Sequence, residues 1–114
     1  MKVIVAGGRD FNWYNLMKVR LDNYFKDITP TIVCGEARGA DSLGRRYAEE
    51  KGLAIESYPA DWNKYGKSAG YKRNELMAQN ADALVAFWDG KSKGTKHMIN
   101  TMLKLDKPVK VVYY

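Results

Sequence analysis

The sequence predicts a three-layer α/β domain around a mainly parallel sheet, because strand-length apolar runs alternate with segments whose apolar residues recur at helical spacing. The central runs are apolar almost throughout, which is typical of strands buried on both faces. Three glycine-containing junctions each follow such a run and precede a helical pattern. The chain has 114 residues, enough for one domain with its own core. We therefore expect residues 1–114 to form a single Rossmann-like domain.

Five strands are predicted at the apolar runs 3–6, 31–34, 53–58, 83–88 and 109–113. With right-handed crossovers, an order of 3-2-1-4-5 places the loops after strands 1 and 4 next to each other, and the loop after strand 2 flanks them. Open α/β sheets bind ligands where the strand order reverses, at the carboxyl ends of the strands. The basic residues expected to converge on this rim are Arg9, Arg38, Lys91, Lys93 and Lys96.

Four helices are predicted between these strands. The first carries an apolar stripe at three- and four-residue steps from Trp13 to Ile28, and we expect that stripe to be core. The second has Asp41 or Ser42 as its N-cap and stops at Gly52. The predicted helical ranges are 13–28, 41–51, 69–80 and 95–105.

The composition favours anionic partners and argues against disulfide, metal and membrane chemistry. The formal charge is +6 at pH 7, which attracts anions in general. Cys34 is the single cysteine and His97 the single histidine, so neither an internal disulfide nor a zinc cluster is expected. Asp10, Asp41 and Asp89 would gather magnesium only through a bound phosphate. No apolar run approaches the roughly 20 residues of a membrane helix, and the first is too short for a signal peptide. We expect a cytoplasmic protein with no cofactor and no metal.

The three glycine junctions predict an anion site, since glycine lets backbone amides approach a phosphate and the helix that follows directs unpaired N–H groups at it. Ordinary alternatives stay open for single members: Asp41 caps the second helix, Thr95 caps the fourth, and Trp62 stacks on a base or packs on a neighbouring helix. Residues 63–68, the longest irregular segment, are expected to act as a mobile flap. The expected ligand-binding residues are Gly7, Gly8, Arg9, Asp10, Gly35, Glu36, Arg38, Gly39, Asp41, Trp62, Arg73, Asn74, Asp89, Ser92, Gly94 and Thr95.

Five motifs, in this order, carry a resemblance to a known family: GGRDF at 7–11, GEARGAD at 35–41, PADW at 59–62, AGYKRN at 69–74 and DGKSKGT at 89–95. Together they resemble the YspA-like branch of the SLOG superfamily, a compact Rossmann-like group of bacteria and phages. The resemblance implies binding of nucleotides or nucleotide-derived ligands. The superfamily also includes the Lonely Guy type phosphoribohydrolases, which cut the bond between base and ribose phosphate.

Those hydrolases use an arginine on the third helix and a glutamate one turn into the helix after a loop ending in Gly-Thr. Arg73 matches the arginine. We expect Arg73 to lie on the solvent-facing side of its helix, which Leu76 and Met77 anchor. The glutamate position is Met98, and a thioether cannot exchange a proton. The resemblance therefore implies binding more firmly than hydrolysis. The alternative catalytic candidates are Arg73 with Glu36 or Asp89 from neighbouring loops.

Three functions are consistent with the sequence, and they follow in order of preference. The first is a protein that senses or sequesters a nucleotide-derived signal such as ADP-ribose or a cyclic nucleotide, for which phage or bacterial defence is a suitable setting. The second is an N-glycosidic hydrolase of nucleoside monophosphates. The third is a DNA-binding or DNA-processing accessory protein. The distribution of basic residues argues against it, because they cluster at glycine-rich loops instead of forming a stripe. Surplus aromatic residues favour a homo-oligomer, namely Tyr14, Tyr47, Tyr71, Tyr113 and Tyr114.

Overall fold

One sheet of five parallel strands forms the centre of the molecule. The computed structural model describes residues 1–114, and the strand order is β3-β2-β1-β4-β5, with every neighbouring pair parallel. The predicted fold class and strand order are therefore confirmed. The strands are Lys2–Gly7 (β1), Thr31–Cys34 (β2), Ile55–Ser57 (β3), Ala83–Trp88 (β4) and Val109–Tyr113 (β5).

Helices cover both faces of the sheet. Alternate residues of β1 point to opposite faces, so Val3 and Val5 pack with one set of helices and Ile4 and Ala6 with the other. The first face is covered by α1 and α2, and the second by α4 and α5. Burying both faces removes apolar surface from water on either side of the sheet. The helices are Tyr14–Tyr24 (α1), Ala40–Lys51 (α2), Trp62–Tyr65 (α3), Ala69–Asn80 (α4) and Lys93–Lys104 (α5), and a 3₁₀ turn spans Gly66–Ser68.

The first helix is shorter than its apolar stripe predicts. It ends at Tyr24, and Phe25 is its C-cap. Trp13 and Ile28 lie outside the helix and are exposed, so their placement in the core was wrong. The prediction that Leu76 is buried was also wrong, because α4 packs through Met77 and the residue after it.

Two helix starts differ from the predicted ones. The second helix begins at Ala40 with Gly39 at the N-cap position, so neither Asp41 nor Ser42 caps it, whereas Gly52 ends it in the left-handed conformation as predicted. Helix α5, which corresponds to the fourth predicted helix, begins at Lys93, two residues earlier than predicted. Residues 63–68 form most of α3 and the 3₁₀ turn in place of the expected irregular segment.

Of the five tyrosines expected at a self-association surface, Tyr47 is buried. Its hydroxyl donates to Asp22 Oδ1 at 2.7 Å, and its ring belongs to the core packed by α1 and α2. Tyr71, Tyr113 and Tyr114 are exposed. None of the helices has both the length and the apolar character needed to cross a membrane.

Candidate functional site

The loops that follow β1 and β2 are joined through one carbonyl group. The Gly8 carbonyl accepts hydrogen bonds from the amides of Phe11, at 3.2 Å, and Ala40, at 3.1 Å. Such an approach requires glycine at position 39, whose φ is +72°, since a Cβ there would lie 2.2 Å from the Gly8 carbonyl oxygen. The β4 strand also joins this edge, because the Gly8 amide donates to the Phe87 carbonyl at 3.1 Å.

A cleft of about 430 Å³ opens where these loops meet the loop after β4. Its volume lies within the range of small-molecule sites. Eleven of the sixteen residues expected to bind ligand line it: Gly7, Gly8, Arg9, Asp10, Asp41, Trp62, Arg73, Asn74, Ser92, Gly94 and Thr95.

A second cavity of about 420 Å³ adjoins the first. Gly35, Glu36 and Arg38 line it, together with Pro59 and Ala60. The two cavities share the wall residues Arg9, Ala37, Trp62 and Arg73.

Two expected ligand residues line neither cavity. Gly39 is packed against the backbone of the first loop, as described above. Asp89 Oδ1 accepts the amides of Lys91 and Ser92, each at 2.8 Å, and these bonds hold the pKa of Asp89 below its usual value. Asp89 therefore stabilises its own turn. The lysines expected at this rim, Lys91, Lys93 and Lys96, also line neither cavity.

Arg73 lies in the wall between the cavities and not on the solvent-facing side of its helix. Its Nη1 donates to the Gly35 carbonyl, and its Nε donates to Asn74 Oδ1 at 3.2 Å. A Cβ on Gly35 would lie 2.6 Å from Arg73 Nη1 and 2.9 Å from Asp41 Oδ2. The absence of a side chain at Gly35 therefore makes room for the guanidinium beside the Asp41 carboxylate.

Asp41 is an acid buried in the wall of the cleft, with 5% of its surface exposed. Its Oδ2 accepts the Ala37 amide at 3.3 Å. Burial raises the pKa of Asp41 to about 6, against the opposing effects of the Arg73 charge and of backbone amides. Burial also lowers the pKa of Arg73, but a guanidinium stays protonated at neutral pH. The cleft thus holds one permanent cation beside one acid that titrates near neutrality.

Asn74 connects Arg73 to the loop after β4. Its Oδ1 accepts from Arg73 Nε, and its Nδ2 donates to the Gly94 carbonyl at 3.3 Å and to His97 Nδ1 at 3.2 Å. Accepting this bond requires His97 to be unprotonated at Nδ1, and burial lowers the pKa of His97 accordingly. The side chain of Tyr71 packs on the His97 ring, with centroids 4.5 Å apart. Both ends of the Asn74 amide are therefore occupied by protein groups, which suits a positioning role.

Three residues that line the cleft, Arg9, Asp10 and Gly94, have backbone amides without a partner in the protein. Ser92 is the N-cap of α5: its Oγ accepts the Thr95 amide at 3.4 Å and lies 3.1 Å from Thr95 Oγ1. The first-turn amides of Lys93 and Gly94 have no acceptor within the helix. The amides of Arg9 and Asp10 form no hydrogen bond within the protein. These donors are available to an anion.

Comparison with known proteins assigns the chain to a family. A family model described as "YspA, cpYpsA-related SLOG family" matches residues 1–65, more than half of the chain. The chain belongs to this SLOG family. It is also 39% identical over 84 residues to the Gene 61 protein of Mycobacterium phage D29, covering 68% of this chain and 67% of that protein.

Two solved structures share the fold of this SLOG protein. DNA processing protein A (DprA) from Streptococcus pneumoniae gives a TM-score of 0.78 at 15% identity, covering 96% of this chain and 49% of the DprA chain. TM1055, a structural genomics target, gives 0.71 at 20% identity, covering 95% and 71%. The chain thus spans about half of the DprA chain. At these identities the likeness shows the Rossmann-like fold alone.

The position of the hydrolase glutamate is apolar in this SLOG protein. Met98 is buried and lines the cleft together with Met77. Of the other two acids considered for catalysis, Glu36 pairs with Arg45 at 3.5 Å, and Asp89 holds its turn. Asp41 is the acid whose charge acts on Arg73, and both side chains line the cleft.

Several lining residues were not among the expected ligand residues. Tyr71 follows the glycine of the AGYKRN motif and lies one helical turn before Asn74, so the helical spacing could have indicated it. Lys67 belonged to the segment interpreted as a flap. In the first cavity, the lining residues not predicted are Ala6, Ala37, Lys67, Gly70, Tyr71, Met77 and Met98.

Proposed function

We propose that this protein binds a nucleotide or a nucleotide-derived small molecule, of the ADP-ribose or cyclic-nucleotide type, as a sensor or sequestering protein. The observation that carries the proposal is that one cleft of about 430 Å³ is lined both by two arginines and by residues whose backbone amides have no partner in the protein. The proposal treats residues 1–114 as one domain and includes self-association and a setting in phage or bacterial defence.

The phosphate would lie between the first loop and the start of α5. The amides of Arg9 and Asp10 would donate to it from one side, and the first turn of α5 would donate from the other. Arg9 makes no ion pair or side-chain hydrogen bond within the protein, so its guanidinium is free for a phosphate, which it can bind with two parallel hydrogen bonds.

The base would stack at the mouth of the cleft. Trp62 and Tyr71 line it and are 52% and 44% exposed. Aromatic rings with one face open bind the π-face of a base without regard to its hydrogen-bonding edge. Trp62 is held in place because Asp61 Oδ1 caps its short helix through the Lys64 amide at 3.1 Å.

The test is ligand binding by Arg9→Ala. Binding of AMP, ADP-ribose and cyclic nucleotides to the unchanged protein would be measured by thermal shift and calorimetry. Charge-assisted hydrogen bonds contribute roughly 1.5–3 kcal/mol, so Arg9→Ala should weaken the best ligand at least tenfold without changing the melting temperature of the free protein. The control is Arg20→Ala, which removes the same charge from the exposed surface of α1. Equal affinity for both variants would refute the proposed phosphate site.

Arg73→Ala should abolish binding, but it also leaves Asp41 without its neighbouring positive charge. The substitution is therefore made in an Asp41→Asn background, with Asp41→Asn alone as reference. If the double variant is folded and binds as tightly as that reference, Arg73 is not part of the site.

N-glycosidic hydrolysis is the second candidate, and Asp41 is the observation that favours it. An acid that titrates near pH 6 beside a guanidinium suits proton transfer to a leaving base. Incubation with nucleoside monophosphates should then release free base, and Asp41→Asn should stop the release. Intact nucleotides after incubation would leave binding as the function. DNA binding ranks third, and an affinity for DNA that falls steeply with salt would raise it.

A further inference from the structure

The two adjoining cavities differ in their outer walls and share their inner one. The first is otherwise enclosed by the loops after β1 and β4 and by α4, whereas the second is enclosed by the loop after β2 and by Pro59 and Ala60. Their volumes are nearly equal, at about 430 and about 420 Å³. Each is near the lower end of the roughly 300–1,000 Å³ typical of ligand sites, so one nucleotide fits one cavity.

The wall shared by the two cavities carries positive charge. Arg9 and Arg73 both line the two cavities, and so does the ring of Trp62. A phosphate group between these arginines would therefore lie at the junction, with space on either side. A ligand with a single nucleoside unit would fill one side and leave the other to solvent.

The second cavity has polar groups of its own. Arg38 is exposed and makes no ion pair, while Glu36 is held by Arg45 at 3.5 Å. A guanidinium and a fixed carboxylate are the groups that bind a phosphate oxygen and a sugar hydroxyl, respectively. Trp62 lies beside α4, since a Cβ on Gly70 would be 3.7 Å from Trp62 Cη2.

We propose, on the basis of the function proposed above, that the ligand has two nucleoside or sugar units joined through a phosphate bridge. The bridge lies at Arg9 and Arg73, one unit occupies each cavity, and Arg38 selects for the second unit. The ligand class is thus a dinucleotide or a nucleoside diphosphate sugar, and a mononucleotide occupies only the first cavity.

The test compares AMP, ADP-ribose and the dinucleotide ApA by calorimetry. At least one two-unit ligand should bind at least tenfold more tightly than AMP. Arg38→Ala should remove that gain while leaving the affinity for AMP within twofold, and Arg20→Ala should change neither.

Two results overturn the inference without touching the proposed function. In the first, AMP binds and the second unit adds nothing. In the second, Arg38→Ala weakens AMP and the two-unit ligands by the same factor, which would mean that the second cavity is not a separate subsite. If no compound in this panel or the earlier one binds at all, the proposed function itself fails.

Discussion

Asp41→Asn should make the protein more stable at neutral pH, and the gain should disappear in acid. The substitution keeps the shape of the side chain and an oxygen that can accept the Ala37 amide, but it removes the charge. Because 95% of the Asp41 surface is buried, its ionised form is poorly solvated in the folded state. The variant therefore isolates the cost of holding a carboxylate in the cleft wall.

The size of the effect follows from the pKa of Asp41. Folding raises that pKa from 3.8 to about 6, and one pKa unit corresponds to roughly 1.36 kcal/mol, so the full cost is about 3 kcal/mol. The folded state binds the proton more tightly than the unfolded state. Stability from this group is thus fully present below pH 4, falls as the pH rises, and is lost above pH 6.

Urea unfolding at pH 4, 5, 6 and 7 measures the difference. The free energy of unfolding of Asp41→Asn minus that of the unchanged protein should rise by about 2.4 kcal/mol between pH 4 and pH 7, because a small part of the full cost is already present at pH 4. The control is Asp27→Asn, which removes the same charge at an exposed position. A difference that stays flat, or an Asn variant that is less stable at pH 7, would show that Arg73 fully compensates the buried charge and that the reasoning is wrong.

Two further substitutions test the loop junction and the Asn74 contacts. Gly39→Ala should cost more than about 2 kcal/mol in urea unfolding, because the new Cβ meets the Gly8 carbonyl oxygen. Gly52→Ala has a similar φ of +68° but nothing within 4 Å, so it should cost only about 1 kcal/mol, and equal costs would contradict the close approach. Asn74→Leu removes three hydrogen bonds and should destabilise the protein by about 2–4 kcal/mol, as well as weakening ligand binding through Arg73. If its melting temperature matches that of a control at the exposed Asn100, Asn100→Leu, the three bonds contribute nothing.

The strand order could be predicted because it depends on features that are local in the sequence. Apolar runs without alternation indicate a sheet covered on both faces, and the handedness of crossovers then limits the order. The motifs around Gly7, Gly35 and Gly94 each follow a strand at the same edge of the sheet. They therefore indicated which loops would meet.

The contacts inside the site could not be predicted, because they depend on which side chains face each other across elements distant in sequence. Arg73 and Asp41 are 32 positions apart and are neighbours only because Gly35 has no side chain between them. The helical pattern of α4 placed Arg73 toward solvent, since nothing in that pattern reveals a carbonyl acceptor on another loop. Capping preference similarly predicted Asp41 as an N-cap, and burial against the cleft wall overrode it.

The Gly8 carbonyl accepts hydrogen bonds from the amides of both Phe11 and Ala40. These bonds limit how far the first loop can shift in the absence of ligand. For the proposed ligand, a cleft assembled in advance loses little freedom on binding, so association should be fast and the affinity should depend mainly on the fit of that ligand. The same rigidity means that any signal passed on by the bound protein would arise from the ligand's own exposed surface or from the tyrosines outside the cleft, rather than from rearrangement of the sheet edge.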